Sequence, residues 1–214
     1  MSGTSSTSRA GSFGSTGNTG SSGEKGPASA ARDRNPQGRA QNQRPRDRFG
    51  RPLPHGSPGV PRVPDDAVYT PEDGLTEAQR LLDDGYAFHA HEVLEAVWKA
   101  APEPERELWR GLAQIAVGLT HAQRGNRVGA ERLLRRGAER VAVYGPSAPH
   151  GVDALGAAAQ GRAVADGLAA WTGAAEGTHS ALRDGDSDDE GDGAVIPVDT
   201  AALRLRRADP SNGA

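Results

Sequence analysis

The chain has 214 residues, a formal net charge of −3 and no cysteine. The lack of cysteine excludes a disulfide-stabilised scaffold and thiolate metal sites, and it is compatible with a reducing cytoplasm. No apolar run approaches the roughly 20 residues that a bilayer-spanning helix needs, and the N-terminus has no hydrophobic signal core. We therefore expect a cytoplasmic protein that does not bind membranes.

The first 66 residues differ in composition from the rest of the chain. Gly, Ser, Pro, Arg and Asn dominate there, and large apolar side chains are almost absent. Such a segment cannot bury enough apolar surface to offset its chain entropy, so residues 1–66 are predicted to form a long disordered arm. Its arginines offer one alternative function, the binding of nucleic acid by phosphate neutralisation. They are Arg32, Arg34, Arg39, Arg44, Arg46, Arg48 and Arg51.

From residue 70 onward, apolar residues recur with helical spacing, and capping signals bound five helices. Thr70 and Pro71 open the first helix, and Asp84 with Gly85 gives the left-handed signal that ends it. The predicted helices span residues 71–83, 87–100, 104–123, 127–143 and 153–171. The third is apolar nearly all round, which predicts a buried, central position. The predicted fold is all-α, a single five-helix bundle over residues 70–173 that is built from antiparallel helical hairpins.

Residues 174–214 are predicted to form an acidic linker followed by a tail. The stretch at 183–193 has six acidic residues and one arginine, which is typical of a solvated linker. After it, Leu203 and Leu205 alternate with charged residues. This alternation is compatible with a short extended segment that returns to the bundle.

The second predicted helix has the most unusual polar pattern, in the stretch FHAHEVLEAVWK. On a helical wheel, His91 and Glu95 stand among core residues and close to Trp98. His89 falls on the predicted solvent face, and Glu92 falls at its edge. Because buried polar groups are almost always hydrogen-bonded, the neighbouring helix is expected to supply partners for the inward pair.

The third predicted helix offers such partners if it forms an antiparallel hairpin with the second. With a turn near Pro102, the facing pairs are His91 with Gln114, Glu95 with Arg110, and His121 with Asp84. The sequence therefore predicts a buried polar seam between the two helices. Its candidate residues are His91, Glu92, Glu95, Trp98, Arg110, Gln114 and His121.

Two other uses of these residues remain open. The polar groups and tryptophans can line a pocket for a small molecule or a partner. Alternatively, His91 and Glu95 can ligate a metal ion together with His121, and Glu92 can then act as the base of a metal-dependent hydrolase. The second histidine of the H-E-x-x-H peptidase motif is replaced by Glu95, and no other strong ligand cluster exists. We therefore expect no metal or other cofactor.

Three stretches of the chain resemble a known family. They are FHAHEVLEAVWK, ERELWRGLAQIAVGLTHAQRGN and GAERLLRRGAERV. Over about residues 74–171 the chain resembles the domain of unknown function 309 family of small all-helical bacterial and archaeal proteins, and its Arg- and Pro-rich leader resembles that of actinobacterial members. The resemblance implies a cytoplasmic helical bundle and supplies no activity. The family's motif positions fall here on His91, Glu92, Glu95, Trp98, Gly111, Gln114, His121, Gly125 and Asn126.

The features of the sequence favour an uncharacterised helical-bundle protein that acts as a binding or interaction module. Its partner, a protein or a small molecule, is not specified by any motif. A metal-dependent hydrolase and nucleic-acid association through the arm are the two alternatives.

Overall fold

The structure, a computed structural model, describes residues 44–61, 63–64, 67–171 and 195–207. Its helices are α1 (Pro71–Asp83), α2 (Ala87–Ala100), α3 (Glu103–Gln123), α4 (Arg127–Ala142) and α5 (Ala154–Ala170), with single 3₁₀ turns at Gly145–Ser147 and Pro149–Gly151. These ranges contain isolated β-bridges but no strand. The all-α prediction is confirmed, and each helix ends within one residue of its predicted bounds. Within the same ranges, no helix has both the length and the apolar character needed to cross a membrane.

Side-chain caps and glycine turns explain why the bounds were predictable. The side chains of Thr70, Asn126 and Asp153 accept hydrogen bonds from backbone N–H groups in the first turns of α1, α4 and α5. Gly85 and Gly125 have φ angles of 85° and 82°, a left-handed conformation that ends α1 and α3 without a Cβ clash. Because the turns are short, successive helices lie side by side.

Helix α3 is the centre of the bundle. It packs against α2 on one side and α4 on the other, and it touches α5. Trp109 and most of its apolar neighbours on this helix are fully buried. Helices α3 and α4 approach closely at two glycines, because a Cβ on Gly137 would lie 2.8 Å from the carbonyl oxygen of Gly111. The predicted central position of this helix is confirmed.

The tail lies on the bundle as an extended segment. The Gln79 amide donates to the carbonyl oxygen of Leu203 at 3.1 Å and accepts from the backbone N–H of Leu205 at 2.9 Å. Both leucine side chains are buried. The side-chain amide of Gln79 on α1 makes the two backbone hydrogen bonds that a neighbouring strand would make in a sheet. The acidic stretch at 183–193 lies outside the described residues.

The predicted arm is described only from residue 44 onward, and there it is a packed segment. Asp47 Oδ1 accepts hydrogen bonds from the backbone N–H groups of Phe49 and Arg51, both at 2.8 Å. Gly50 N–H donates to the Asp47 carbonyl at 3.0 Å, which closes a tight turn. For residues 44–61 the expectation of disorder is therefore wrong, because this turn supplies its own hydrogen bonds and packs against α2. Arg32, Arg34 and Arg39 lie outside the described residues.

Candidate functional site

Two contacts set the register of the hairpin formed by α2 and α3. The Arg110 guanidinium carbon lies 6.0 Å from the centre of the Trp98 ring, and Gln123 Nε2 donates to the Gly85 carbonyl at 3.0 Å. Arg110 therefore lies beside Trp98, nearly one turn along α2 from Glu95. The predicted pairing of Glu95 with Arg110 is wrong, because the register of the hairpin is shifted by three residues along α2, from Glu95 to Trp98. Arg110 pairs instead with Glu107 of its own helix, at 3.3 Å.

His91 and Glu95 form a ladder along α2 with Lys99. Glu95 Oε1 lies 2.9 Å from Lys99 Nζ, and its Oε2 lies 3.5 Å from His91 Nε2. His91 Nδ1 is 2.8 Å from the Phe88 carbonyl oxygen. Because a carbonyl oxygen only accepts, Nδ1 carries a proton, and Nε2 can donate to Glu95 only when the ring is an imidazolium.

The ladder residues His91 and Glu95 and the neighbouring Arg110 are partly exposed and not buried. The side chains of His91, Glu95 and Arg110 are 20%, 36% and 44% exposed. The prediction of a buried seam is therefore wrong: the wheel placed these positions correctly beside α3, but on its outer edge. The half-exposed surface of His91, Glu95, Trp98, Arg110 and Gln114 is called the α2–α3 face below.

The ladder shifts the titration of Glu95. The hydrogen bond from His91, together with the charge of Lys99, lowers the pKa of Glu95 to about 2, although partial burial acts in the opposite direction. The Lys99 contact is the shorter of the two. The contribution of this ionised carboxylate to stability is present above its unfolded pKa of about 4.3 and is lost as the pH falls toward 2.

His89 does not lie on the solvent face that the wheel predicted. It is only 1% exposed, and the rings of Tyr86 and Phe88 meet it edge-on with centroids at 5.8 and 5.3 Å. The prediction failed because the segment 44–61 packs against Phe88, so the first turn of α2 is not at the surface. Glu92, predicted at the edge of that face, is half-buried.

Gln114 and His121 are not brought together with the partners predicted for them. Gln114 is half-buried and forms no hydrogen bond with His91. His121 Nδ1 lies 3.0 Å from the Asn126 side-chain amide at the turn into α4, and Asp84 pairs with Arg80. The register of the hairpin therefore separates Gln114 from the partner predicted for it. His121 is separated from the ladder because it lies in the last turn of α3.

The candidate metal ligands do not converge. In the described part of the chain, no three His, Asp or Glu side chains are arranged to hold a metal ion. His91 and Glu95 are adjacent, but His121 does not join them. A catalytic zinc site needs three protein ligands, so this arrangement gives no support to a metal-dependent hydrolase that uses the trio, and that alternative stays a prediction.

A second polar cluster, which the sequence did not reveal, joins α1, α3 and the connection between α4 and α5. His150 Nδ1 lies 2.9 Å from Glu72 Oε1, and its Nε2 lies 2.9 Å from Glu105 Oε2. Trp109 Nε1 donates to the same Glu105 oxygen at 3.3 Å. Because ionised carboxylates only accept, the ring makes both hydrogen bonds only as an imidazolium.

The two carboxylates change the titration of His150. Its burial disfavours the charged ring, but the hydrogen bonds to Glu72 and Glu105 outweigh that effect, so the pKa of His150 is raised. The hydrogen bond with His150 lowers the pKa of Glu72. His150 also has a φ of 55°, which is unfavourable for a residue with a side chain, and the two ion pairs hold it there.

The fold and the α2–α3 face define a class of protein. It is a small helical-bundle domain with a half-exposed polar surface along the hairpin of α2 and α3. Residues 75–133 match the family model described as Domain of unknown function (DUF309), which confirms the resemblance over these residues. The matched part includes every residue of the predicted polar seam and leaves the segment 44–61, α5 and the tail outside.

One relative extends this result without naming an activity. Over 48 residues the chain is 46% identical to the uncharacterized protein YpuF of Bacillus subtilis (strain 168). The alignment covers 22% of this chain and 28% of that protein, so the match is confined to a part of each. No solved structure matches the chain. The two matches therefore show what part of the helical bundle is similar to, and they supply no activity.

Glu95→Ala tests the corrected position of the ladder. We expect the free energy of unfolding to fall by only about 0.5 kcal/mol, because both partners of Glu95 are partly exposed and solvent screens them. Urea unfolding measures the change, with Glu139→Ala on the exposed side of α4 as the control. A loss of about 3 kcal/mol, the value for breaking a buried ion pair, would contradict the half-exposed position.

His150→Gln tests the second cluster through its pH dependence. Because the pKa of His150 is raised on folding, its contribution to stability is fully present below the unfolded value of about 6.5 and is lost as the pH rises through the folded value. The variant should therefore be less stable than the wild type at about pH 6, and the difference should shrink at about pH 9. Urea unfolding at both pH values measures this; a difference that does not depend on pH would exclude a charged clamp.

Proposed function

We propose that this chain is a protein-interaction module of the cytoplasm and that its α2–α3 face binds a segment of a partner protein. The observation that carries the proposal is the side chain of Gln114. Its Oε1 atom is buried, yet it accepts no hydrogen bond from the described residues. A buried acceptor without a donor costs about 1–3 kcal/mol, so a partner that supplies the donor gains free energy on binding.

The location of Gln114 supports an external donor. Its Oε1 is buried, but the residue as a whole is half-buried and lies on the outer edge of α3. Trp98, the ring beside which Arg110 lies, is also only partly buried. Trp and Arg are the residue types in which binding energy is concentrated at protein interfaces, because they offer large contact areas with a polar handle.

The charges of the α2–α3 face favour a protein over a polyanion. Glu95 lies between His91 and Lys99, and Arg110 is paired with Glu107. Each cation therefore has a carboxylate beside it, and the face has no excess of positive charge. Such a mixed face is suited to a protein segment with both donors and acceptors. The absence of cysteine supports placement in the cytoplasm.

A photo-crosslinking amino acid placed at Lys99 tests the proposal in cells of the native host. Lys99 is 66% exposed and borders the α2–α3 face. We expect one discrete crosslinked protein, which disappears when Trp98→Ala is added while circular dichroism shows the fold intact. The matched control carries the crosslinker at Arg132, an exposed position on α4.

Two outcomes would contradict the proposal. One is the absence of any adduct at Lys99 under conditions in which the Arg132 control is equally well expressed. The other is a set of adducts that is the same at both positions or that is unchanged by Trp98→Ala, since such adducts report random encounters.

A further inference from the structure

A group of arginines and aromatic rings meets at the N-terminal end of α2. We call it the arginine–aromatic cluster; its members are Arg46, Arg48, Phe49, Arg51, Tyr86, Phe88 and Arg124. The first four come from the packed segment 44–61, and the others come from the start of α2 and the end of α3. Residues far apart in the sequence thus form one surface.

Phe88 is the ring on which the cluster is built. The guanidinium carbons of Arg46 and Arg124 lie 5.0 and 5.4 Å from its centroid, within the range of a cation–π interaction. Gly50 packs directly on the same ring: a Cβ at this position would lie 2.1 Å from Phe88 Cγ. The φ of Gly50 is 76°, so both space and backbone conformation require glycine here.

Arg124 anchors the segment 44–61 to the bundle. It is 7% exposed, and its Nε donates to the Phe49 carbonyl at 2.8 Å. The turn is closed on its other side by Arg46, whose Nη1 donates to the Gly50 carbonyl. These contacts hold the ring of Phe49 beside two more guanidinium groups, with the carbons of Arg48 and Arg51 at 5.2 and 5.7 Å.

Three arginines of the cluster, Arg46, Arg48 and Arg51, have no carboxylate partner among the described residues. Arginines on the helices, such as Arg80 and Arg135, do form ion pairs with carboxylates. Asp47 is the acidic residue in the turn, and its Oδ1 accepts two backbone hydrogen bonds. The cluster is therefore cationic, in contrast to the mixed α2–α3 face.

We propose that the arginine–aromatic cluster binds single-stranded nucleic acid. Guanidinium groups neutralise phosphates, and guanidinium planes and aromatic rings stack on unpaired bases, which is the combination that sequence-tolerant single-strand binding requires. Phe49 and Arg48 supply the stacking surface, and Arg51 adds the charge beside it. The proposed site requires the segment 44–61 in its packed position, and the positive charge of the arm alone is not sufficient.

Fluorescence anisotropy with a labelled oligouridine of about 16 nucleotides tests the proposal on the full chain. Arg48→Ala/Arg51→Ala should bind at least about tenfold more weakly, and its log–log salt slope should fall by about 1.4, because two phosphate contacts are lost. The control Arg132→Ala/Arg136→Ala makes the same change of charge on exposed positions of α4 and should bind within about twofold of the wild type.

Gly50→Val separates the docked cluster from the charge of the arm. It keeps every arginine but places a side chain against Phe88, so the segment cannot dock. We expect the same loss of binding as in Arg48→Ala/Arg51→Ala. Wild-type affinity of Gly50→Val would overturn the cluster as the site.

Three further outcomes would also overturn the proposal. They are the absence of salt-dependent binding by the wild type, an equal loss in the α4 control, and competition by a polyglutamate peptide as strong as that by unlabelled oligouridine. The last result would identify a surface for acidic protein segments in place of nucleic acid.

Discussion

The packing of α3 between α2 and α4 is the constraint on which the rest of the structure depends. At Gly111 and Gly137 the α3 and α4 backbones come so close that neither position has room for a side chain. This contact fixes the rotation of α3 about its axis. Arg110 and Gln114, which lie on the same side of Gly111 on the helical wheel, are consequently left at the edge of α3, where Arg110 meets Trp98. The α2–α3 face is therefore a consequence of the α3–α4 contact.

Helix α2 connects two surfaces of different chemistry. Its middle and end carry the mixed charges of the α2–α3 face, while its first turn carries the arginine–aromatic cluster. Phe88 belongs to the cluster, and its ring lies 5.2 Å from that of His91, so the two surfaces are contiguous. The family match covers α2 and α3 in full but not the segment 44–61. The α2–α3 face therefore lies within the matched domain, whereas the cluster also needs the arginines of the added segment.

The sequence predicted the helices well because their signals are local. Thr70, Asn126 and Gly85 act within one turn of their own positions, so each boundary could be derived from a few residues. The site was predicted only in part. The helical wheel identified His91 and Glu95 as facing α3. Their exposure and their partners depend on how α2 and α3 are aligned, and a wheel of one helix does not describe that alignment. His89 was misplaced because the rings of Tyr86 and Phe88 cover it, and the His150 cluster joins residues 78 and 45 positions apart.

The central claim is that the polar residues of the α2–α3 face serve binding and not folding, and Gln114→Met tests it most directly. Methionine keeps the length of the side chain and removes the buried acceptor that has no donor in the described residues. The account predicts that the free energy of unfolding in urea stays equal or rises by about 1 kcal/mol, because an unsatisfied polar atom is removed. A fall of more than about 1 kcal/mol would show that Gln114 stabilises the fold, and it would contradict the claim.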